Sequence, residues 1–309
     1  MAQPEPETYS IRVASRLSGI SADTLRMWER RYGFPDPARL PNGNRVYSAE
    51  SVQRLIVIAR ALDAGYRPRE VVGKDMETLE RMLSRSAQQA APVVGVTNEV
   101  WRPAMDAIID SDVNTLHSRL RQLVATLGAK RFVTDAVSPL LVEVGRAWAA
   151  GSIDVRHEHL ASEALTTQLR LLLASFEQAS EGHPRVLVGT LPQEQHRLGM
   201  EMAALYLAAE GASIRMVGAD TPADQLVEAA KRLGADVIAL SVSASSDPMA
   251  SGGYLHWMMA ELPESIQVWI GGANAVRIRE QNTRLRVVRD WEDLDVELAR
   301  ARAGVVGAA

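Results

Sequence analysis

At 309 residues, with 47% hydrophobic and 23% charged side chains, the chain holds apolar material for two or three domains of about 100 to 200 residues each, which excludes a disordered polymer. It contains no cysteine, which excludes disulfides, thiolate zinc sites and cysteine-held iron–sulfur clusters. No apolar run approaches the roughly 20 residues of a membrane span, so a cytoplasmic protein is expected, and a net charge of −4 argues against a protein that coats nucleic acid along its whole length.

The charge is unevenly placed. Between Tyr9 and Arg69 there are eleven arginines and five acidic residues, so this segment alone carries +6. Its first predicted helix turns Ile11, Val13, Ala14 and Leu17 inward, Ser18-Gly19-Ile20 makes a tight turn, and Ser21 caps a second helix. On that helix Leu25, Trp28 and Tyr32 share the core face, leaving Arg26, Glu29, Arg30 and Arg31 outward, where a DNA major groove would meet them. Asn42-Gly43 between short extended pieces predicts a two-residue hairpin turn. Arg39, Asn42, Arg45 and Tyr47 then decorate a wing placed to grip phosphates. Ser48 restarts a helix that Gly65 can close, METLERMLSR adds a short helix ending near Ser86, and SAQQAAPVVGV reads as a linker.

Helical periodicity then runs from about Asn98 to Gln178, with Leu116, Leu120 and Leu123, then Ala161, Leu165, Leu169 and Leu172, on apolar faces. Breaks near Asp110-Ser111, at Gly128 and at Ala150-Gly151-Ser152 predict four helices and a small bundle. From Arg185 the rhythm changes to short β-rich runs alternating with helices: RVLVGT, SIRMVG, DVIALSVS, QVWIGG and LRVVRD. That alternation predicts a parallel sheet covered by helices, with ligands at the carboxyl ends of the strands.

The expected architecture is therefore multidomain, α and α/β. A winged helix-turn-helix occupies 9–85, a linker 86–97, a helical bundle 98–180 and a Rossmann-like (flavodoxin-like) parallel-sheet domain 183–303.

The helix, the turn before it and Asn42-Gly43-Asn44-Arg45-Val46-Tyr47 resemble the MerR family of winged-helix regulators. The resemblance implies double-stranded DNA as partner and recognition by dimeric heads. A solvated arginine face is the commoner meaning of scattered surface charge, but here turn, helix, hairpin and arginines fall in the order a DNA reader needs. MerR relatives dimerise through a long helix after the wing, and the shorter helix here implies that pairing comes from elsewhere in a dimer or tetramer.

After RVLVGT comes Glu194-Gln195-His196-Arg197-Leu198-Gly199, which is similar to the Glu/Asp-x-His-x-x-Gly signature of cobalamin-binding domains. A neutral imidazole on a strand-end loop can ligate cobalt, a carboxylate two residues earlier can hold its other ring nitrogen, and Gly199 lets the next helix approach the corrin closely. A lone loop histidine is ordinarily a surface residue, but two further elements stand where the fold needs them. Ser241 and Ser243 follow the third strand, and Gly271-Gly272 the fourth. The resemblance implies that these loops line the slot for the displaced nucleotide tail.

In the helical region, Trp148, nine intervening residues and Glu158-His159 resemble the cap of light-sensing cobalamin repressors of the CarH type. That resemblance implies Trp148 over the upper corrin face, with Glu158 and His159 shaping a pocket for the 5′-deoxyadenosyl group of adenosylcobalamin. CarH-type proteins commonly carry a histidine directly after the tryptophan, where this chain has Ala149. The expected function is a non-enzymatic repressor released from its operator by light. Two alternatives stay open: a regulator that senses cobalamin, its alkyl group or its redox state without light, and a corrinoid methyl carrier. Against the carrier, no segment is long enough for the roughly 250-residue barrel of such enzymes.

Overall fold

The computed structural model describes residues 8–18, 20–40, 43–63, 66–89, 99–176, 182–280 and 282–306. Its Cα packing divides the chain into two compact units: 1–95 with 145–155, and 96–144 with 156–309.

In the first unit β1 (Thr8–Ser10), β2 (Ala38–Arg39) and β3 (Arg45–Ser48) form an antiparallel sheet in the order β1-β3-β2. Helices α1 (Ile11–Ser18), α2 (Ala22–Tyr32), α3 (Ala49–Asp63), α4 (Pro68–Val71) and α5 (Met76–Gln89) complete it. Ser21 caps α2 by accepting from the Thr24 amide at 3.1 Å, and Gly33 ends the helix in the left-handed region at φ +71°. Leu25, Trp28, Tyr47, Leu55, Ile58 and Leu79 fill the core.

Three details differ from the sequence pattern. Leu17 is exposed, and the neighbouring Ser18 is buried instead, its hydroxyl donating to the Ala14 carbonyl at 2.7 Å. That bond lets a polar residue close the core side of a two-turn helix. The Leu40 amide donates to the Asn44 carbonyl and the Gly43 amide to the Leu40 carbonyl, so the connection from β2 to β3 is longer than a two-residue turn, with Gly43 at φ +79°. Helix α5 also runs on to Gln89, past the expected end at Ser86.

In the second unit, α6 (Arg102–Ile109) and α7 (Val113–Arg131) precede a π-helical stretch, Phe132–Val137, that leads into α8 (Ser138–Ala150), whose residues from Gly145 on are grouped with the first unit. Asp112 caps α7, and Gly128 breaks it with φ 73° and ψ 170°. After α9 (Val155–Phe176) the chain alternates β4 (Arg185–Thr190), α10 (Leu198–Ala209), β5 (Ser213–Gly218), α11 (Ala223–Leu233), β6 (Val237–Ser241), α12 (Pro248–Glu261), β7 (Gln267–Gly271), β8 (Leu285–Val288) and α13 (Trp291–Val306). The five strands are all parallel, in the order β5-β4-β6-β7-β8. Central β4 and β6 are nearly continuous apolar runs because helices cover both faces.

The bundle is seated on α10 and α13. Lys130 pairs with Glu210 at 2.9 Å and Asp295 at 3.1 Å, and Tyr206 stacks on Trp291 at 4.8 Å. The Trp291 indole donates to the Ser138 hydroxyl at 3.1 Å. Among the described residues no helix is long and apolar enough to cross a membrane.

Candidate cobalamin site and DNA-reading head

The strand order reverses direction between β4 and β6, and an open parallel sheet binds ligands outside the carboxyl ends of the strands flanking such a point. The loop after β4 carries Glu194 and His196, and the loop after β6 carries Ser243. Both therefore arrive at this crevice from opposite sides.

Hydrogen bonds fix the first loop. The buried Thr190 hydroxyl donates to the Glu194 carbonyl at 2.6 Å and accepts from the Asp220 amide at 2.8 Å, and the Asp220 carboxylate accepts from the Gln193 amide at 2.6 Å. Gln193 is held at φ +70°, in the left-handed region that non-glycine residues seldom enter.

Glu194 is the hub. Only 4% of it is exposed, yet one carboxylate oxygen accepts from the His196 amide at 2.8 Å and faces His196 Nδ1 at 2.7 Å. The other accepts from the Ser243 amide at 2.9 Å, the Ser243 hydroxyl at 2.6 Å and the Ser246 hydroxyl. Burial opposes ionisation here, but these bonds from His196, Ser243 and Ser246 outweigh it and hold the pKa at about 2. An ionised carboxylate only accepts, so Nδ1 carries a proton, which is the tautomer that in a neutral imidazole puts the lone pair on Nε2. The His196 side chain is 61% exposed, so its ring stands out of the crevice while its inner edge is anchored.

Ser246 and Asn274 have no counterpart in the sequence reading. Buried Asn274 donates to the Ala244 carbonyl at 2.8 Å and the Ser246 carbonyl at 2.9 Å, which shapes the loop that presents Ser243 and Ser246. One residue between two breaks in the sheet pattern gives no periodic signal; only the asparagine after Gly271-Gly272 hinted at a turn.

The glycines have structural causes. A Cβ on Gly272, at φ +107°, would strike the Val242 carbonyl, and the Val242 amide donates to Gly271 at 2.8 Å. This pair brings the β6 and β7 loops together over bare backbone. A Cβ on Gly199 would meet the Ser241 hydroxyl, so Gly199 makes room for Ser241 against α10.

The residues present fit a corrinoid: one imidazole fixed at Nδ1, a strand-end crevice and bare backbone at its rim. Among the described residues no group of three His, Asp or Glu side chains could hold a metal ion, so a metal here would have to come already held in a cofactor, with His196 as the residue that would bind it.

In the bundle, Trp148 is half-buried near the end of α8 and belongs to the first compact unit, whereas Glu158 and His159 belong to the second. Glu158 contacts His159 Nδ1 at 2.7 Å and accepts from the Ser162 hydroxyl at 2.6 Å. His159 lines an open cleft of about 370 Å³ between α7 and α9, together with His117, Leu160, Glu163 and Thr167. His157 is buried.

In the head, Arg26, Arg30 and Arg31 are exposed along α2, with Arg26 held by Asp23 at 2.5 Å. Glu29 does not face outward as an independent group: it accepts from Arg45 at 2.7 Å and pairs with Arg39 at 3.5 Å, tying α2 to the wing. Tyr47 departs from the sequence reading. It is 0% exposed, and its hydroxyl has no partner among the described residues, because β3 lies between β1 and β2 and turns this side chain into the core. It cannot grip a phosphate. Asn42 lies outside the described residues.

Fold and site together define a class: a winged helix-turn-helix head carried with a B12-binding module. The family model for MerR HTH family regulatory proteins matches residues 9–74, and models for B12 binding domains match residues 100–173 and 184–296. The chain is 30% identical to the HTH-type transcriptional repressor CarH of Myxococcus xanthus over 93% of its own length and 98% of the relative's. The chain belongs to the CarH family of transcriptional repressors. It is also 32% identical to the repressor CarA of the same organism over 78% of each chain. Dimethylamine corrinoid protein 3 of Methanosarcina acetivorans matches at 24% over 60% of this chain and 87% of that one. The solved monomethylamine corrinoid protein of Methanosarcina barkeri shares the fold, with a TM-score of 0.54 at 19% identity, covering 66% of this chain and all of that one.

Proposed function

We propose that this chain is a repressor that uses adenosylcobalamin to control its assembly on a DNA operator, and that light ends repression. The observation that carries the reading is the Glu194 hub, which fixes His196 Nδ1 and leaves Nε2 on the exposed side of the ring, where it would serve as the cobalt ligand. Gly199, Ser241, Ser243, Gly271 and Gly272 would line the slot that holds the cobalamin, and Trp148, Glu158 and His159 are the residues that would respond to its adenosyl group. When bound, adenosylcobalamin supplies a cobalt–carbon bond that visible light cleaves.

This chain's own part is to hold the corrin from below and to register the upper group through the bundle. Arg26, Arg30, Arg31, Arg39, Asn42 and Arg45 contact the operator, and several heads in a cytoplasmic dimer or tetramer gain avidity. Light releases DNA only if the two forms of the ligand favour different assemblies. Size-exclusion chromatography with adenosylcobalamin in darkness and after illumination tests this: a change in elution volume is expected, and an unchanged volume sinks the light-controlled assembly.

Ala149 favours a second reading, in which the same site reports cobalamin or its alkyl group without light, because alanine offers no ligand beside Trp148. Operator binding compared across methyl-, adenosyl- and hydroxocobalamin, each in darkness and in light, separates the two.

A further inference from the structure

We infer that the Arg170–Glu201 ion pair is the positioning contact through which the helical bundle holds the His196 loop in shape, with Arg197 as the competing partner for the same carboxylate. The inference rests on the cobalamin reading for its functional meaning, but the coupling itself is a property of the chain without ligand.

Glu201 lies in the first turn of α10, five residues after His196, and is only 1% exposed. One of its oxygens accepts from Arg170 of α9 at 2.9 Å through Nε and lies 2.8 Å from the terminal nitrogen. The Arg197 guanidinium already lies in weaker ion-pair range of that same oxygen, at 3.8 Å. The second oxygen is buried with no hydrogen-bond partner among the described residues.

A buried carboxylate so sparsely partnered depends on its cation, and losing that cation leaves a charge that must find another. Arg197 is the cation within reach, and it is covalently joined to His196. Drawing it more tightly onto Glu201 would pull on the peptide that joins it to His196. Bundle position and loop conformation are thereby linked, and linkage is reciprocal: whatever orders the loop favours the docked bundle.

The other bundle anchor supplies a control. Lys130 binds Glu210 and Asp295 at the opposite end of α10, so it fastens the bundle without touching the residues next to His196.

Hydrogen exchange of the full chain without ligand, read over residues 192–202, tests the coupling. Arg170→Gln should raise exchange there several-fold, Arg170→Lys should restore protection, and Lys130→Met should leave this segment as in the unaltered chain. Equilibrium titration should then show Arg170→Gln weakening adenosylcobalamin by about tenfold, hydroxocobalamin distinctly less, and Arg170→Lys recovering the difference. Unchanged exchange in Arg170→Gln, or an equal rise in Lys130→Met, overturns the proposal. Equal losses for the two cobalamins overturn its link to the upper face. If the unaltered chain binds neither cobalamin, the cobalamin reading fails, while the exchange result still decides the coupling.

Discussion

His196 and His159 are built alike and supported differently. Each ring has Nδ1 2.7 Å from a neighbouring glutamate. The Glu194 side chain is 4% exposed and held by donors from two loops, whereas that of Glu158 is 39% exposed and, among the described residues, bonds Ser162 besides the histidine. A carboxylate–histidine pair becomes a fixed metal ligand when the carboxylate cannot turn to water, which follows from burial and from the number of bonds that hold it. The first pair is held in one arrangement by the fold. The second is a solvated pair at the edge of an open cleft.

The largest effect should come from His196→Ala. Cobalamin affinity should fall on the order of 100-fold or more, and the visible spectrum of any cofactor that still binds should shift; an unaltered spectrum would remove His196 as lower ligand. Glu194→Gln should cost about 10- to 100-fold in the same titration, while Glu158→Gln costs only a few-fold. Equal losses at the two positions would break the contrast between them.

Gly272→Ala acts on the shell around the first pair. It forces a side chain into the left-handed region against the Val242 carbonyl, so stability should drop by about 1–3 kcal/mol, read as a lower Tm. An unchanged Tm would show that the loop after β6 yields easily, and that the site is less rigid than its hydrogen bonds suggest.

The smallest effects lie in the head, where burial again separates neighbours. Tyr47→Phe should leave operator affinity unchanged and raise stability by up to about 1 kcal/mol, since it removes a buried hydroxyl that has no partner among the described residues. Exposed Arg30→Ala should weaken binding and reduce the salt dependence of affinity by about one phosphate contact. A Tyr47→Phe chain that bound the operator poorly would restore that residue to the wing's working face.

Much of this was legible in the residue order. The switch from helical period to short apolar runs at Arg185 marked the parallel sheet, because central strands buried on both faces must be continuously apolar. Glu194 two residues before His196 was short-range enough to be read as a pair. Ser246 and Asn274 were not, since their contacts join residues 52 and 28 positions apart. Tyr47 was misread because alternation along a four-residue strand does not say which face meets the core when both edges are paired.

The sequence by itself determined the order of the elements, their caps and breaks, and the histidine with its nearest carboxylate, because propensity, period and i to i+2 spacing are local quantities. Only the tertiary structure decided that Glu194 is buried, that Ser243 and Ser246 converge on it, that Glu29 belongs to the wing and that Glu201 is shared between bundle and loop. Burial and long-range pairing depend on which surfaces the fold brings together, and that depends on the whole chain at once.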